Sequence, residues 1–382
     1  MKMKAAVMYE QGLPAPYANS TPFRIEDVDL EGPGPGEVLV EVRAAGLCHS
    51  DLSQVAGLRK RKLPVVGGHE GAGIVREVGA GVTELQPGDH VVMTVVSGCG
   101  HCRTCFTQRP ALCQSVTVPR TQGLLATGAR RLSVRGEPVF HYSGVSAFAQ
   151  YAVTVPKSLI RIGKDVPLDV AAMFGCAVVT GAGSVFNAAR VAPGASVAVL
   201  GLGGIGLNGV MAARVSGATR IIGIDINEGK FALARELGAT DVVSASDPKA
   251  IEHIRDLTDG GVDHAFEMSG SLQAMTLANA ITRRGGEVVC VGLGASDALF
   301  QYAHAALVTE EKTFRGSFMG SCVPERDIPA YVEMYRQGRL PVDRLKSEAI
   351  GFDRLNTSLD LLDRGEVVRQ ILLPHGSAAP TA

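Results

Sequence analysis

Four cysteines crowd into one short stretch of the chain: Cys99, Cys102, Cys105 and Cys113, spaced C-x2-C-x2-C-x7-C. Two-residue gaps let thiolates curl round one ion, and four thiolates close a tetrahedral shell with no open position. A closed shell leaves no place for a reactant, so this spacing points to a structural zinc. An iron–sulfur cluster, which also takes four cysteines, and free thiols are the alternatives. A second set of potential ligands is dispersed: Cys48 in GLCHSD, His69 and Glu70 in GGHEGAG, and Cys176 in FGCAVVTG. Two cysteines and one histidine would leave a fourth position open to water or substrate, which is a catalytic arrangement. Spacing alone does not bring residues so far apart together. Read singly, each is an ordinary core or loop residue.

Residues 197–206 read VAVLGLGGIG, with Gly201, Gly203 and Gly206 in a G-x-G-x-x-G pattern. In a dinucleotide site the first glycine makes a tight turn and the second lets the backbone approach the pyrophosphate. The third lets helix and strand pack closely. The helix N-terminus then offers free N–H groups and the positive end of its dipole to the phosphates. An apolar strand precedes the pattern, a helical run follows, and Asp225 ends the next strand, IIGID. An acid at that distance would accept from the adenosine ribose hydroxyls. It would also repel the extra phosphate of NADP, and no arginine follows it directly, so NAD is the expected cofactor. The competing reading is a glycine-rich turn in some other parallel sheet.

Two kinds of element must hold these residues. The first third carries short, Val-rich strands (FRIEDVDL, EVLVEVRAAG, AGIVREVGAGV, GDHVVMTVV) broken by Gly and Pro turns, which argues for an all-β unit. From Ser196 the strands SVAVLGLG, RIIGIDI, DVVSA, VDHAFEMSG and EVVCVGLG alternate with helical stretches such as EGKFALARELGA and PKAIEHIRDLTDG. That alternation means βαβ units and a parallel sheet covered on both faces. The expected fold is therefore α/β, with domains at 1–178 and 179–324, and with 325–382 returning to the first. Lys+Arg 37 against Asp+Glu 38 gives a net charge of −1, which leaves no global field for nucleic acid or anionic membrane. No apolar run approaches the roughly twenty residues that span a bilayer. The opening MKMKAAVMYE shows no signal core, so a cytoplasmic protein is expected. Cys290 and Cys322 lie outside any cluster and read as small apolar core residues. Only the last eight residues, HGSAAPTA, look disordered.

Taken together, GLCHSD, GHEGAG, the four-cysteine lobe, GCAVVTG, VAVLGLGGIG with IGIDINEGKF, and GEVVRQIL resemble the zinc-containing, medium-chain alcohol dehydrogenase family, over roughly residues 3 to 373. RRLSVRGEPVFHYSGVSAFAQYAV resembles the branch that holds alcohol dehydrogenase and glutathione-dependent formaldehyde dehydrogenase. The resemblance implies a mostly β, GroES-like catalytic domain and a doubly wound Rossmann cofactor domain, with the active site in the cleft between them. It implies a catalytic zinc on Cys48, His69 and Cys176, acting as a Lewis acid on the alcohol oxygen, and hydride transfer to NAD. With the lobe zinc that makes two per chain. Ser50 matches the residue that takes the alcohol proton. Asp51 matches the acid that orients the zinc-bound histidine, and Glu70 the acid beneath the zinc. His49 and Arg369 match pyrophosphate contacts, Lys230 a residue near the adenosine ribose, and Thr180 a nicotinamide contact. A homodimer or homotetramer acting on a small alcohol or aldehyde is implied as well.

Three departures bear on substrate. Ser53 stands where many relatives end the proton relay in histidine. Thr117 stands where the formaldehyde-dehydrogenase branch grips the glutathione carboxylate with arginine, although Arg120 is close by, and LRKRKLP replaces an acidic stretch. Val95 stands where many relatives carry a bulky aromatic, which would admit a bulkier alcohol. The basic run Arg59-Lys60-Arg61-Lys62 reads as a solvated loop face, or as a rim that steers an anionic substrate. The alternatives are a thiol-adduct formaldehyde dehydrogenase, or a non-enzymatic zinc-ribbon protein. Against the last stand the balanced charge and the short lobe insert RTCFTQRPA, with one aromatic and few bases.

Overall fold

The computed structural model describes residues 1–376 and contains two compact units. One comprises Met1–Cys176, Val323–Val332 and the chain from Asp343 onward; the other comprises Ala177–Cys322 and Glu333–Val342.

In the first unit, Lys2–Met8, Phe23–Leu30, Leu132–Val134, Glu137–His141 and Val65–Val66 close a small barrel. Met3, Ala5 and Val7 alternate inward along its first strand and pack with Val28, Leu30, Leu132 and Val139, a two-residue period that fixes the register. A larger sheet runs in the order Leu159–Ile162, His90–Met93, Gly71–Val78, Val38–Leu47, Arg369–Leu372, Lys346–Ile350. Val38–Leu47 is buried almost throughout, as a strand covered on both faces must be. The C-terminal strand reaches it in antiparallel register, Gln370 opposite Leu47. That pairing carries Arg369 to the end of the strand that delivers Cys48.

The second unit is a six-stranded parallel sheet ordered Asp241–Ser244, Arg220–Asp225, Ser196–Leu200, Val262–Glu267, Thr282–Cys290, Thr313–Gly316. In chain order within this sheet that is 3-2-1-4-5-6, the doubly wound arrangement in which the order reverses beside the first strand. Its core holds Ala198, Leu200, Ile222, Ile224, Ala265 and Val288 from the strands, with Ile254, Ala278 and Ile281 from covering helices. Both halves of the expected α/β fold are thus present. The sixth strand, Thr313–Gly316, carries no alternating apolar pattern in TFRG and was not among the expected strands.

Of the eight residues read as disordered, His375 and Gly376 are placed, with His375 Nε2 3.1 Å from the Gln150 carbonyl and Gly376 N–H on Leu373 O. Residues 377–382 lie outside the described residues. Cys322 is fully buried, whereas Cys290 is only half-buried, against Met275. Among the described residues no single helix is long and apolar enough to cross a membrane.

Candidate active site

In the first unit the ligand atoms of Cys48, His69, Glu70 and Cys176 all lie within 4.8 Å of one another, and all four residues are buried. Local structure explains the placement of each. Cys48 follows the strand Val38–Leu47 and caps the helix His49–Val55. Asp51, in that helix's first turn, accepts the Cys48 N–H at 3.0 Å, completing a capping box. His69 and Glu70 follow a turn at Gly68, whose φ of +83° is one that side chains disfavour. Cys176 ends the turn Ala172–Gly175, which packs so tightly on His90–Met93 that a Cβ on Gly175 would lie 2.1 Å from Met93 O.

The hydrogen bonds orient the donors. Asp51 Oδ1 lies 3.0 Å from His69 Nδ1 and accepts its N–H, which leaves Nε2 as the nitrogen available to a further partner. Among the described residues His69 Nε2 is buried without a partner, an orphaned polar atom of the kind a metal ion satisfies. Burial pulls His69 down, but the Asp51 carboxylate beside it prevails and raises it well above the ordinary range. The Cys176 thiol bonded to Cys48, and after it the nearby Arg369, hold Cys48 well below the ordinary thiol value. Thiolate and imidazole donors together suit zinc.

Glu70 sits beneath this group against Gly46, where a Cβ would meet its carboxylate at 2.7 Å. Burial pushes its pKa up to about 8 despite Arg369, whose Nη1 is 3.3 Å from Oε2. Arg369 is itself buried, donates to Leu47 O at 2.9 Å, and leaves Nε without a partner. Of the remaining residues on this helix, His49 is exposed and Ser50 half-buried. Ser53 spends its hydroxyl on the His49 carbonyl at 2.9 Å.

The four-cysteine lobe is equally well formed. Cys102 and Cys105 sulfurs are 3.5 Å apart, Cys102 and Cys113 3.8 Å, and Cys99 and Cys105 4.0 Å. A tetrahedron with Zn–S bonds of ~2.3 Å has edges of about 3.8 Å, so the sulfurs already match a zinc shell. The Thr104 hydroxyl at 3.1 Å, followed by the Cys105 N–H, brings Cys102 down to about 6, while burial pushes Cys105 up to about 12.

In the second unit two of the three glycines of the loop have a measurable reason in the protein itself. Gly201 has φ +96° at the turn. A Cβ on Gly206 would fall 1.8 Å from Gly201 O, so helix and strand approach as only glycine allows. A Cβ on Gly203 would meet nothing within 4 Å, so the protein itself does not require glycine there. That is the open backbone a pyrophosphate would cover. Asp225, at the end of its strand, accepts from Leu202 N at 2.7 Å and Asn227 N at 2.8 Å, and pairs with Lys230 Nζ at 3.1 Å.

Thr180 is buried, 3.8 Å from the Met319 sulfur. Met319, Gly320 and Ser321 all have left-handed φ, and a Cβ on Gly320 would strike Val179 O at 1.8 Å. Such strained runs persist where surrounding structure enforces them. Nothing local in FMGSC marks a left-handed run, so only the structure reveals this segment.

Tyr142 is buried with its ring edge-on to His69 at 5.4 Å between centroids, a contact no sequence spacing marks. Burial raises its hydroxyl to about 12. Only the fold, which brings the strand Glu137–His141 beside Val65–Val66, reveals that contact.

Comparison with known proteins agrees with this geometry. Residues 34–164 match the family described as alcohol dehydrogenase GroES-like domain, and residues 204–337 that described as zinc-binding dehydrogenase. The chain is 37% identical over 373 residues to alcohol dehydrogenase class-3 of Myxine glutinosa, covering 97% of both. Its fold is similar to an alcohol dehydrogenase zinc-binding domain protein from Burkholderia ambifaria, with TM-score 0.92, 36% identity and coverage of 98% of this chain and 100% of that one. Benzyl alcohol dehydrogenase from Acinetobacter calcoaceticus gives TM-score 0.91 and 33% identity, covering 98% and 99%.

Proposed function

We propose, because the chain belongs to the zinc-containing, medium-chain alcohol dehydrogenase family and is an NAD-dependent oxidoreductase of that kind, that it oxidises a bulky or aromatic primary alcohol reversibly to the aldehyde. The convergence of Cys48, His69, Glu70 and Cys176, with His69 Nε2 buried and unpartnered among the described residues, carries this reading.

Cys48, His69 and Cys176 would hold the catalytic zinc, and Cys99, Cys102, Cys105 and Cys113 the structural one. When bound, the catalytic zinc supplies Lewis acidity at the alcohol oxygen, and NAD supplies the hydride acceptor. Asp51 fixes the tautomer of His69 and raises its basicity. Ser50 takes the alcohol proton; because Ser53 is tied to the helix backbone and titrates nowhere near neutrality, water completes the relay. Glu70, with its raised pKa, holds a proton near neutral pH under the metal ligands, and Arg369 compensates its charge when that proton leaves.

Gly201, Gly203 and Gly206 receive the NAD pyrophosphate. Asp225 and Lys230 hold the adenosine ribose, and Thr180 packs on the nicotinamide. Similarity to benzyl alcohol dehydrogenase, and Val95 in place of a larger side chain, favour an aromatic alcohol. A cytoplasmic homodimer or homotetramer is the expected form. The test is NADH formation by the purified protein with ethanol, benzyl alcohol, or formaldehyde plus glutathione. Turnover of benzyl alcohol with NAD is expected; activity confined to the glutathione adduct would overturn the substrate assignment.

A further inference from the structure

The basic run of the sequence divides in the structure. Lys60 and Lys62 are exposed, whereas Arg59 and Arg61 are half-buried. One side-chain amide holds the half-buried pair in place. Gln11 Nε2 donates to Gln54 O at 2.7 Å and to Arg59 O at 2.9 Å, and Gln11 Oε1 accepts the Arg61 N–H at 2.9 Å. Beside it the Gly12 N–H donates to Val55 O at 2.7 Å. Gln54 and Val55 close the helix His49–Val55, whose first turn carries Asp51. The loop that bears Arg61 is therefore latched through its backbone to the helix that orients His69.

From that loop the Arg61 guanidinium lies over the face of Tyr142, 5.3 Å from the ring centre. The negative face of the ring attracts a cation at this range. Tyr142 is held at its base, where its N–H donates to Ser146 Oγ at 2.9 Å and that hydroxyl donates to Val66 O at 3.1 Å. Its ring meets the His69 imidazole edge-on, at 83° and 5.4 Å between centroids, a favoured arrangement for two aromatic rings.

His69 uses both supports. The hydrogen bond from Nδ1 to Asp51 fixes one atom of the imidazole and leaves the ring free to tilt about that bond. The lone pair of Nε2 lies in the ring plane, so a tilt aims it away from a metal. The edge contact with Tyr142 sets the plane, and Arg61 sets Tyr142.

We infer that Arg61 is a positioning residue for the metal-ligating histidine: latched by Gln11, it holds Tyr142 against His69 so that the imidazole keeps the plane in which Nε2 binds a metal. This deepens the proposed function and rests on its assignment of His69 as a ligand of the catalytic zinc.

The experiment compares zinc release to a chelating dye, over graded dye concentrations, in the wild type, Arg61→Met, Arg61→Lys, Gln11→Leu and Lys60→Met. Loss of the cation in Arg61→Met should release one zinc at a ~2- to 30-fold lower dye concentration, with the lobe zinc and Tm unchanged. Gln11→Leu should act on the same zinc in the same sense. Arg61→Lys should recover most of the loss, and Lys60→Met should match the wild type. In protein carrying 13C-labelled histidine, the His69 ring signal is identified by its absence from His69→Gln. That signal should shift in Arg61→Met, and should shift no further when Arg61→Met is added to Tyr142→Leu. Wild-type zinc release by Arg61→Met or Gln11→Leu, or a loss shared by both zincs, would overturn the inference. So would an unmoved His69 signal in Arg61→Met, a further shift on the Tyr142→Leu background, or an effect as large in Lys60→Met. If the wild type holds only the lobe zinc, the ligand assignment fails separately, and the His69 signal decides the positioning role: shifted by Arg61→Met it stands, unshifted it falls.

Discussion

Replacing Asp51 by asparagine tests how the scattered ligands are held. The Asp51 carboxylate accepts two buried hydrogen bonds, from Cys48 N at 3.0 Å and from His69 Nδ1 at 3.0 Å. An amide can satisfy only one. If its oxygen stays with the Cys48 N–H, its NH2 faces Nδ1 and drives the imidazole proton onto Nε2, the nitrogen a metal needs. If it flips, two donors face each other at the cap. Leaving one buried group unsatisfied costs ~1–3 kcal/mol, which agrees with the ~10–100-fold loss of metal affinity seen when such supporting groups are removed. The assay is zinc release to a chelating dye over graded dye concentrations. Asp51→Asn should give up one zinc at a ~10–100-fold lower dye concentration than wild type and keep the other unchanged. Release of both zincs as in the wild type, or earlier release of the lobe zinc, would refute the reasoning.

The second and third glycines of the cofactor loop should respond differently. Gly203→Val has open space for its Cβ, so the protein should melt normally in a thermal scan while KM for NAD rises ~10-fold or more. Gly206→Ala places a Cβ 1.8 Å from Gly201 O and should lower Tm before it affects any ligand. His141 is buried, accepts the Arg131 N–H at Nε2, and is brought by burial from 6.5 to about 3. The unfolded chain therefore gains a proton below pH 6.5 that the folded chain refuses until about 3, so stability falls with pH across that window. At ~1.4 kcal/mol per unit this costs about 2 kcal/mol by pH ~5. Denaturant titrations of wild type and His141→Gln should show the slope in the first and a flatter one in the second. Asp225→Asn removes the charge expected to exclude NADP and should shift the kcat/KM preference toward NADP ~10-fold or more.

What the sequence made legible was local. The period-two runs of the first unit and the strand–glycine–helix pattern at Ser196–Gly206 announce themselves within a few residues, because each repeats the geometry of its own element. Asp225 is legible by its distance from that loop. The closing strand Val65–Val66 and the edge strand Thr313–Gly316 are too short to show a period. The convergence of Cys48, His69 and Cys176 depends on long-range pairing, and so does the place of Arg369 beside Glu70. Only the resemblance supplied that grouping in advance. Tyr142 and the inward turn of Arg61 had no signal at all, because a ring packed on a histidine and a cation packed on that ring leave no spacing to read.

Zinc content measured together with NADH formation, on wild type and Cys176→Ser, tests the central claim most directly. Two zincs and turnover of an aromatic alcohol are expected for the wild type. Cys176→Ser should keep one zinc and its fold, with turnover gone. Full turnover in Cys176→Ser, or a wild type that holds only the lobe zinc and still oxidises alcohol, would contradict the assignment of the scattered ligands as the working centre.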